Sequence, residues 1–93
     1  MRPLRQRVAT SAWELDREQP LWAALSDPTR LDMRCDRRCI LGFIAGSYTQ
    51  GLRYLGLADG HDAEERAFTT RDTREWHLLN QYWREEISTR VAA

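Results

Sequence analysis

The fold is decided by one segment, Asp36-Arg-Arg-Cys-Ile-Leu-Gly-Phe-Ile-Ala-Gly46, and its continuation, Ser47-Tyr-Thr-Gln-Gly-Leu-Arg-Tyr-Leu-Gly-Leu57. Apolar side chains recur in this segment every three or four residues, which is the spacing of a helix with one buried face. Glycine within a helix costs roughly 1 kcal/mol relative to alanine, so Gly42 and Gly46 indicate a close contact or a break. The segment therefore predicts two consecutive helices, with close approach by a neighbouring helix at the glycines and a break at Gly46-Ser47.

Length and charge limit the class of protein. A chain of 93 residues is long enough for one domain. Its 14 basic residues, all arginine, are balanced by 14 acidic residues, which argues against a general polyanion binder. The arginine-only composition is typical either of selection for carboxylate and phosphate pairing or, as we prefer, of codon bias in a GC-rich genome.

The sequence gives no sign of a membrane span or a secretory signal. No stretch reaches the roughly 18 apolar residues that a span requires, and no apolar run follows the basic start Met1–Arg7. Two cysteines in a chain without a signal are typical of a reducing compartment. We therefore expect a cytoplasmic protein with free thiols and no membrane partner.

Apolar periodicity together with cap and turn residues predicts the order of the helices. We expect a flexible basic arm over residues 1–7 and a single helical domain over residues 8–93. The predicted elements are a helix from about Gln6 to Glu18, a short helix after Pro20, a helix over Arg37–Ala45 capped by Asp36, a helix capped by Ser47 that ends near Gly56, a short turn from Asp62 to Phe68, and a helix from Asp72 to about Arg90. The last two elements each open with a capping-box pattern, Asp62-Ala-Glu-Glu65 and Asp72-Thr-Arg-Glu75, and the last helix has an apolar stripe at Trp76, Leu79, Trp83 and Ile87. Strand patterns are nearly absent. The prediction is an all-α fold: a single compact domain of four to five helices with a long C-terminal helix.

Short motifs are spread along the chain between Ala9 and Arg90. They are Trp13-x-Leu15-Asp16, Pro20-x-Trp22, Leu31-Asp-Met33, Cys39-Ile-Leu-Gly42, Gly46-x-Tyr48, Gly51, Leu55-Gly-Leu57 and Leu79-x3-Trp83-Arg84. In this order they resemble a group of small proteins from actinobacteria and their phages, whose typical segment is Cys-hydrophobic-Leu-Gly-Gln. This chain has Phe43 at the position of that glutamine, so any polar role of the glutamine is lost here. The resemblance implies an actinobacterial or phage setting and an overall shape, but no reaction.

Two cysteines and two histidines make a zinc site arithmetically possible, namely Cys35, Cys39, His61 and His77. Structural zinc needs four converging ligands, usually from short spacings, whereas the two cysteines flank a predicted helix start and the histidines are unpaired. Cys39 lies on the apolar face and fits a small buried side chain. No local pattern joins a cysteine to a histidine as nucleophile and base. We expect no metal, no cofactor and no enzymatic activity.

Basic residues are concentrated between Arg30 and Arg38. Asp32 and Asp36 are interleaved with them and reduce the positive field. No helix-turn-helix pattern accompanies the cluster. A nucleic-acid-associated regulator that uses the Arg30–Arg38 region is therefore the alternative interpretation.

Aromatic residues and arginine favour a protein-binding surface, because these residues dominate interface hot spots. All four Trp residues also fit apolar stripes, so their complete burial in the core remains a second interpretation. We expect a small non-enzymatic protein-interaction module that binds a protein partner or itself. Its candidate partner-binding residues are Arg34, Arg37, Arg38, Trp22, Tyr48 and Tyr54.

Overall fold

The computed structural model describes residues 1–91, and in that range the secondary structure is helical, without strands. Its helices are α1 (Leu4–Glu18), α2 (Trp22–Leu25), α3 (Ile40–Ala45), α4 (Tyr48–Leu55), α5 (His61–Glu65) and α6 (Trp76–Val91). A 3-10 turn over Thr73–Glu75 continues directly into α6. The all-α class and the long C-terminal helix are confirmed. The described helices number six rather than four to five, because the short segments α2 and α5 each complete a helical turn.

The N-terminal basic segment belongs to the folded domain. Helix α1 already begins at Leu4, and both Leu4 and Arg7 are buried. Arg7 donates from Nε to the carbonyl oxygen of Arg2 at 2.8 Å and from Nη1 to that of Glu64 at 2.6 Å. The flexible arm expected over residues 1–7 is therefore wrong from Leu4 onward, because α1 includes these residues and two backbone carbonyls bind the Arg7 guanidinium.

The central segment forms two helices separated at Gly46, as its sequence predicts. Gly46 ends α3 with φ at +96°, and Ser47 begins α4 by accepting a hydrogen bond at Oγ from the Gln50 N–H at 3.1 Å. Helix α4 then ends at Gly56, where φ is +71°. Both glycines adopt the left-handed conformation that commonly ends helices. The predicted break at Gly46-Ser47, the cap at Ser47 and the helix end near Gly56 are confirmed.

The start of α3 differs from the prediction. The helix begins at Ile40, and its cap is Cys39, whose Sγ accepts the N–H of Gly42 at 3.3 Å. Asp36, the expected cap, instead accepts the N–H of Tyr48 through its carbonyl oxygen at 2.9 Å and through Oδ1 at 3.1 Å. Its position is therefore decided by the start of α4 rather than by that of α3.

The two predicted capping boxes have different outcomes. Asp72 accepts the N–H of Arg74 at 2.9 Å and caps the 3-10 turn before α6, as expected. Asp62 lies inside α5, which follows Gly60 without any side-chain cap. Its carboxylate accepts the N–H of Ala58 at 3.2 Å instead. The Asp62 prediction is wrong because the loop before the helix captures the carboxylate.

The core is centred on three aromatic rings where α1, α2 and α6 meet. Trp83 packs edge-to-face against Trp22 and stacks on Phe68, with ring centroids 5.6 Å apart in both pairs. All three residues are fully buried, and such pairs add about 0.5–1.5 kcal/mol beyond burial. Leu79 and Ile87 are buried on the same face of α6. The apolar stripe predicted for the C-terminal helix is thus confirmed at these positions.

An ion pair connects α1 to α6 beside this core. Arg90 donates to Asp16 through Nε at 2.7 Å and through Nη2 at 2.9 Å, and Trp22 donates from Nε1 to the same carboxylate at 2.8 Å. The hydrogen bond from Arg90 is the main reason that the pKa of Asp16 lies below its ordinary value. One carboxylate therefore joins three helices.

The segment after α5 reverses direction in a Schellman motif. Phe68 donates its N–H to the carbonyl of Ala63 at 2.9 Å, and Ala67 donates to that of Glu64 at 3.0 Å. Ala67 has φ at +61°, in the region where glycine is usual. Its carbonyl accepts the indole N–H of Trp83 at 2.7 Å. The turn that places Phe68 in the core is therefore held by α6.

Candidate functional site

Residues 30–38, here called the arginine loop, connect α2 to α3 and carry four exposed arginines, Arg30, Arg34, Arg37 and Arg38. Six arginines elsewhere in the chain lie within 4.0 Å of a carboxylate oxygen: Arg5, Arg7, Arg66, Arg71, Arg74 and Arg90. Within residues 1–91, none of the four arginines of the loop has such a partner. The loop therefore presents unpaired positive charge to solvent.

The arginine loop is fixed to the long C-terminal helix. The N–H of Met33 donates to Oδ1 of Asn80 at 2.7 Å, and Arg84 donates from Nη2 to the carbonyl of Leu31 at 3.3 Å. Buried backbone groups need such partners, so side chains of α6 replace regular secondary structure here. The positions of the arginines are thus set by a helix distant in sequence.

The interleaved carboxylates serve the backbone of the loop. Asp32 accepts the N–H of Arg34 through Oδ1 at 3.0 Å, and Asp36 accepts the N–H of Tyr48. The N–H of Asp32 also donates to the carbonyl of Arg38 at 3.0 Å, which closes the loop on itself. These aspartates reduce the positive field but leave the guanidinium groups free of direct ion pairs.

A pocket of about 220 Å³, here called the aromatic pocket, opens beside the arginine loop. It is lined by Met33, Arg34, Cys35, Asp36, Tyr48, Thr69 and Trp76. Cζ of Arg34 lies 5.7 Å from the centroid of the Trp76 ring, within the range of a cation–π contact. The pocket and the arginine loop therefore share Arg34 and form one surface.

The two aromatic walls of the pocket are half-buried. Tyr48 donates its hydroxyl proton to Oδ1 of Asp59 at 2.7 Å, which fixes the ring. Burial, with a further contribution from Asp59, raises the pKa of Tyr48 far above its ordinary value. The phenol thus stays protonated and acts as a fixed wall.

Cys35 places a thiol in this pocket. Nε of Arg38 lies 3.5 Å from its Sγ, and this contact, with the N–H groups of Arg37 and Arg38, lowers the pKa of Cys35 below its ordinary value. Cys39 differs, because burial raises the pKa of its thiol. Thiolate character is thus concentrated on the one cysteine that borders the pocket.

Alkylation of Cys35 by iodoacetamide is expected to have a pH midpoint below that of an ordinary thiol. Replacing Arg38 with Gln removes the guanidinium that favours the thiolate, so this midpoint should move to higher pH. Mass spectrometry of the Cys35 peptide measures the rate across a pH series, with buried Cys39 as the unreactive internal control. An unchanged midpoint in Arg38→Gln would show that Arg38 does not act on the sulfur.

The sequence-predicted site residues fall into three groups. Arg34 and Tyr48 line the aromatic pocket, and Arg37 and Arg38 lie in the same loop. Tyr54 is 67% exposed on α4, outside the pocket lining. Trp22 is fully buried against Trp83. Its assignment to a partner-binding surface is wrong, because the single turn of α2 directs it into the core.

Sequence reasoning missed other residues of the surface. Trp76 was expected to belong to the core stripe of α6, and Thr69 lies in a segment with only a connecting role in the sequence. Both line the pocket because the chain after α5 returns to the arginine loop. The usable signal was the position of Trp76 at the very start of its helix, where an apolar stripe is most easily left partly uncovered.

The candidate zinc residues do not form a site in the part of the chain that the structure describes. No group of three or more His, Cys, Asp or Glu side chains there is arranged to hold a metal ion. Cys39 donates its S–H to the carbonyl of Asp36 at 3.6 Å and serves as the cap of α3. His61 is exposed on α5, where its Nδ1 lies 3.7 Å from Oε2 of Glu65.

A second cavity, of about 680 Å³, lies between α1 and α5 and is lined mostly by polar and charged residues. Nη2 of Arg66 is 2.7 Å from Oε2 of Glu14 in an ion pair, although this buried nitrogen makes no hydrogen bond within residues 1–91. Nε of Arg66 donates to Oγ of Ser11 at 3.4 Å. The guanidinium is thus engaged within the fold rather than directed at a ligand.

The chain matches no family model, no curated protein and no solved structure. The resemblance to small actinobacterial and phage proteins therefore stays a prediction. No helix within residues 1–91 combines the length and the apolar character needed to cross a bilayer.

Proposed function

We propose that this chain is a small non-enzymatic module that binds a protein partner, or a second copy of itself, through the arginine loop and the aromatic pocket. The observation that carries the proposal is the group of exposed arginines, without carboxylate partners among residues 1–91, beside a pocket walled by Tyr48 and Trp76. Arginine and aromatic side chains supply most of the energy at protein interfaces. A free guanidinium can also bind an incoming carboxylate through two parallel hydrogen bonds.

The anchoring of the loop supports the same proposal. Asn80 and Arg84 hold its backbone to α6, and the bond from Asp32 to Arg38 closes it. A surface that is ordered before binding loses less conformational entropy when a partner arrives. The arginines are therefore presented from a rigid support.

The alternative is a nucleic-acid-associated regulator that uses the same arginines, and the unpaired guanidinium groups are what favour it. Against it, the chain has a formal net charge of zero, and the carboxylates of Asp32 and Asp36 lie within the cluster. Nucleic-acid affinity depends chiefly on a net positive field that displaces counterions from phosphates. The protein partner therefore remains the preferred function.

The proposed setting is the cytoplasm of an actinobacterial cell or of one infected by a phage. Both Cys35 and Cys39 are free thiols, which supports a reducing compartment. The resemblance of the sequence motifs to those of small actinobacterial and phage proteins supports an actinobacterial host.

The proposed function is tested by reversing the charge of the loop. We expect the double variant Arg37→Glu/Arg38→Glu to lose a partner that the unmodified protein captures from actinobacterial lysate, or to lose its self-association in light scattering. The matched control is Arg2→Glu/Arg17→Glu, which changes net charge equally at two exposed arginines that also have no carboxylate partner in the part of the chain that the structure describes. Equal capture by both double variants would contradict the proposal.

The alternative is tested in parallel by fluorescence anisotropy on duplex and single-stranded probes. We expect no nucleic-acid binding tighter than about 10 μM at about 150 mM salt, since non-specific binders usually have Kd values of roughly 10⁻⁴ to 10⁻⁶ M. Sub-micromolar binding that disappears in Arg37→Glu/Arg38→Glu would make the nucleic-acid function the leading one.

A further inference from the structure

We infer that the partner supplies an acidic segment containing one large apolar side chain: its carboxylates pair with the arginine loop, and its apolar side chain enters the aromatic pocket. This inference rests on the proposed function and names the chemistry of the partner.

The size of the pocket indicates a single side chain. Its volume of about 220 Å³ is below the range of about 300–1,000 Å³ that is typical for small-molecule sites. Met33 is buried, and the half-buried rings of Tyr48 and Trp76 complete an apolar wall. An aromatic or leucine side chain gains free energy by leaving water for such a wall.

The position of Arg34 requires a negative charge next to that apolar side chain. Its guanidinium lies over the Trp76 ring, exposed and without a carboxylate within 4.0 Å in residues 1–91. A side chain seated against Trp76 brings the neighbouring residues of its own segment towards this cation. A carboxylate at those positions forms a charge-assisted hydrogen bond, which is stronger than a neutral one.

The remaining arginines extend the same charge over a short distance. Because the N–H of Asp32 bonds to the carbonyl of Arg38 at 3.0 Å, the two ends of this stretch meet and the loop is compact. Arg37 and Arg38 therefore lie on the same small loop as Arg34. A short segment with acidic residues on both sides of its apolar side chain matches this distribution of charge.

The carboxylate of Asp36 favours an acidic peptide over a nucleic acid as the ligand of this surface. Asp36 lines the pocket, and because a nucleic acid carries a phosphate at every nucleotide, one of its phosphates meets this carboxylate. An acidic peptide can place its apolar side chain there and keep its carboxylates over the arginines. A nucleic acid is accordingly the competing outcome of the test rather than the inferred partner.

The test uses fluorescein-labelled nine-residue peptides with four Glu or Asp residues on each side of a central Trp, Leu or Ala. A fourth peptide has a central Trp flanked by Lys, and a thymidine oligonucleotide of similar length represents nucleic acid. Anisotropy titrations should show the acidic Trp or Leu peptide binding about tenfold or more tightly than the acidic Ala peptide, the basic peptide and the oligonucleotide. Arg37→Glu/Arg38→Glu should weaken that binding by about tenfold or more, while Arg2→Glu/Arg17→Glu should not.

The pocket is tested separately by filling it. N-ethylmaleimide attached to Cys35 should weaken binding of the acidic Trp peptide by about tenfold or more. Cys35→Ala treated with the same reagent should bind as before. Bound peptide should in turn slow the alkylation of Cys35, because it covers the thiol.

Each contrary result overturns the inference at a defined point. If the acidic Ala peptide binds as tightly as the acidic Trp peptide, a large apolar side chain is not required. If the basic Trp peptide binds as tightly as the acidic one, acidic residues are not required. Tighter binding of the oligonucleotide assigns the surface to nucleic acid, and unchanged binding after maleimide treatment excludes the pocket. If no acidic peptide binds more tightly than about 1 mM while lysate capture still depends on Arg37 and Arg38, the inference fails and the proposed function stands.

Discussion

Trp83→Ala is expected to leave most molecules unfolded at physiological temperature. Trp83 is fully buried, contacts the rings of Trp22 and Phe68, and donates its indole N–H to the carbonyl of Ala67. Truncations of this kind cost roughly 3–5 kcal/mol because they remove buried area and leave a cavity. The stability of a domain this small lies near the lower end of the usual range of about 5–15 kcal/mol, so the loss is comparable with the whole stability. Circular dichroism during thermal and urea unfolding measures the loss.

Two further variants separate cavity formation from the loss of one hydrogen bond. Trp83→Phe keeps an aromatic ring beside Phe68 but leaves the buried carbonyl of Ala67 without its donor, so we expect a smaller loss that includes about 1–3 kcal/mol for that group. Trp13→Ala is the matched control, since Trp13 is 55% exposed and surface substitutions usually change stability by about 0.5 kcal/mol or less. A melt of Trp83→Ala within a few degrees of the unmodified protein would refute the core described here.

Gly42→Ala is expected to destabilise the protein although alanine is the better helix former. A Cβ built on Gly42 would lie 2.5 Å from the carbonyl carbon and oxygen of Arg37, which are backbone atoms and cannot move without the loop. Such overpacking usually costs about 1–3 kcal/mol, and here it opposes a propensity gain of roughly 1 kcal/mol. Because this clash moves Arg37, binding through the arginine loop should weaken as well.

The control for this glycine is Thr49→Ala, an exposed position in α4. There alanine adds helix propensity without a clash, so stability should stay the same or rise slightly. Urea unfolding of both variants gives the comparison. A Gly42→Ala protein as stable as Thr49→Ala would show that α3 and the segment before it can separate at little cost.

Much of the fold was predictable because it depends on local chemistry. Three predicted features depend only on residues close in sequence, and each is confirmed: the apolar stripe of α6, the cap at Asp72 and the cap at Ser47. Competition between distant groups explains the failures. Asp36 was expected to cap the next helix, but it accepts the N–H of Tyr48 instead.

The candidate site was predictable only in part. Arg34, Arg37 and Arg38 were identified because the cluster is contiguous in sequence, and their exposure follows from their charge. The pocket beside them was not identified, since it needs the approach of Thr69 and Trp76 from elsewhere in the chain. Trp22 was a candidate partner-binding residue, but it is fully buried. It lies in a single helical turn whose orientation no local sequence pattern determines.

The sequence by itself determined the all-α class, the long C-terminal helix, the break at Gly46 and the helix end at Gly56, because periodicity, caps and glycine conformations are properties of neighbouring residues. The tertiary structure alone decided which arginines are paired and which remain free. It also placed Ala67, an alanine, in a left-handed conformation held by the indole of Trp83. Long-range contacts offset the cost of a strained backbone conformation and decide which charged side chains pair. Neither effect can be read from neighbouring residues in the sequence.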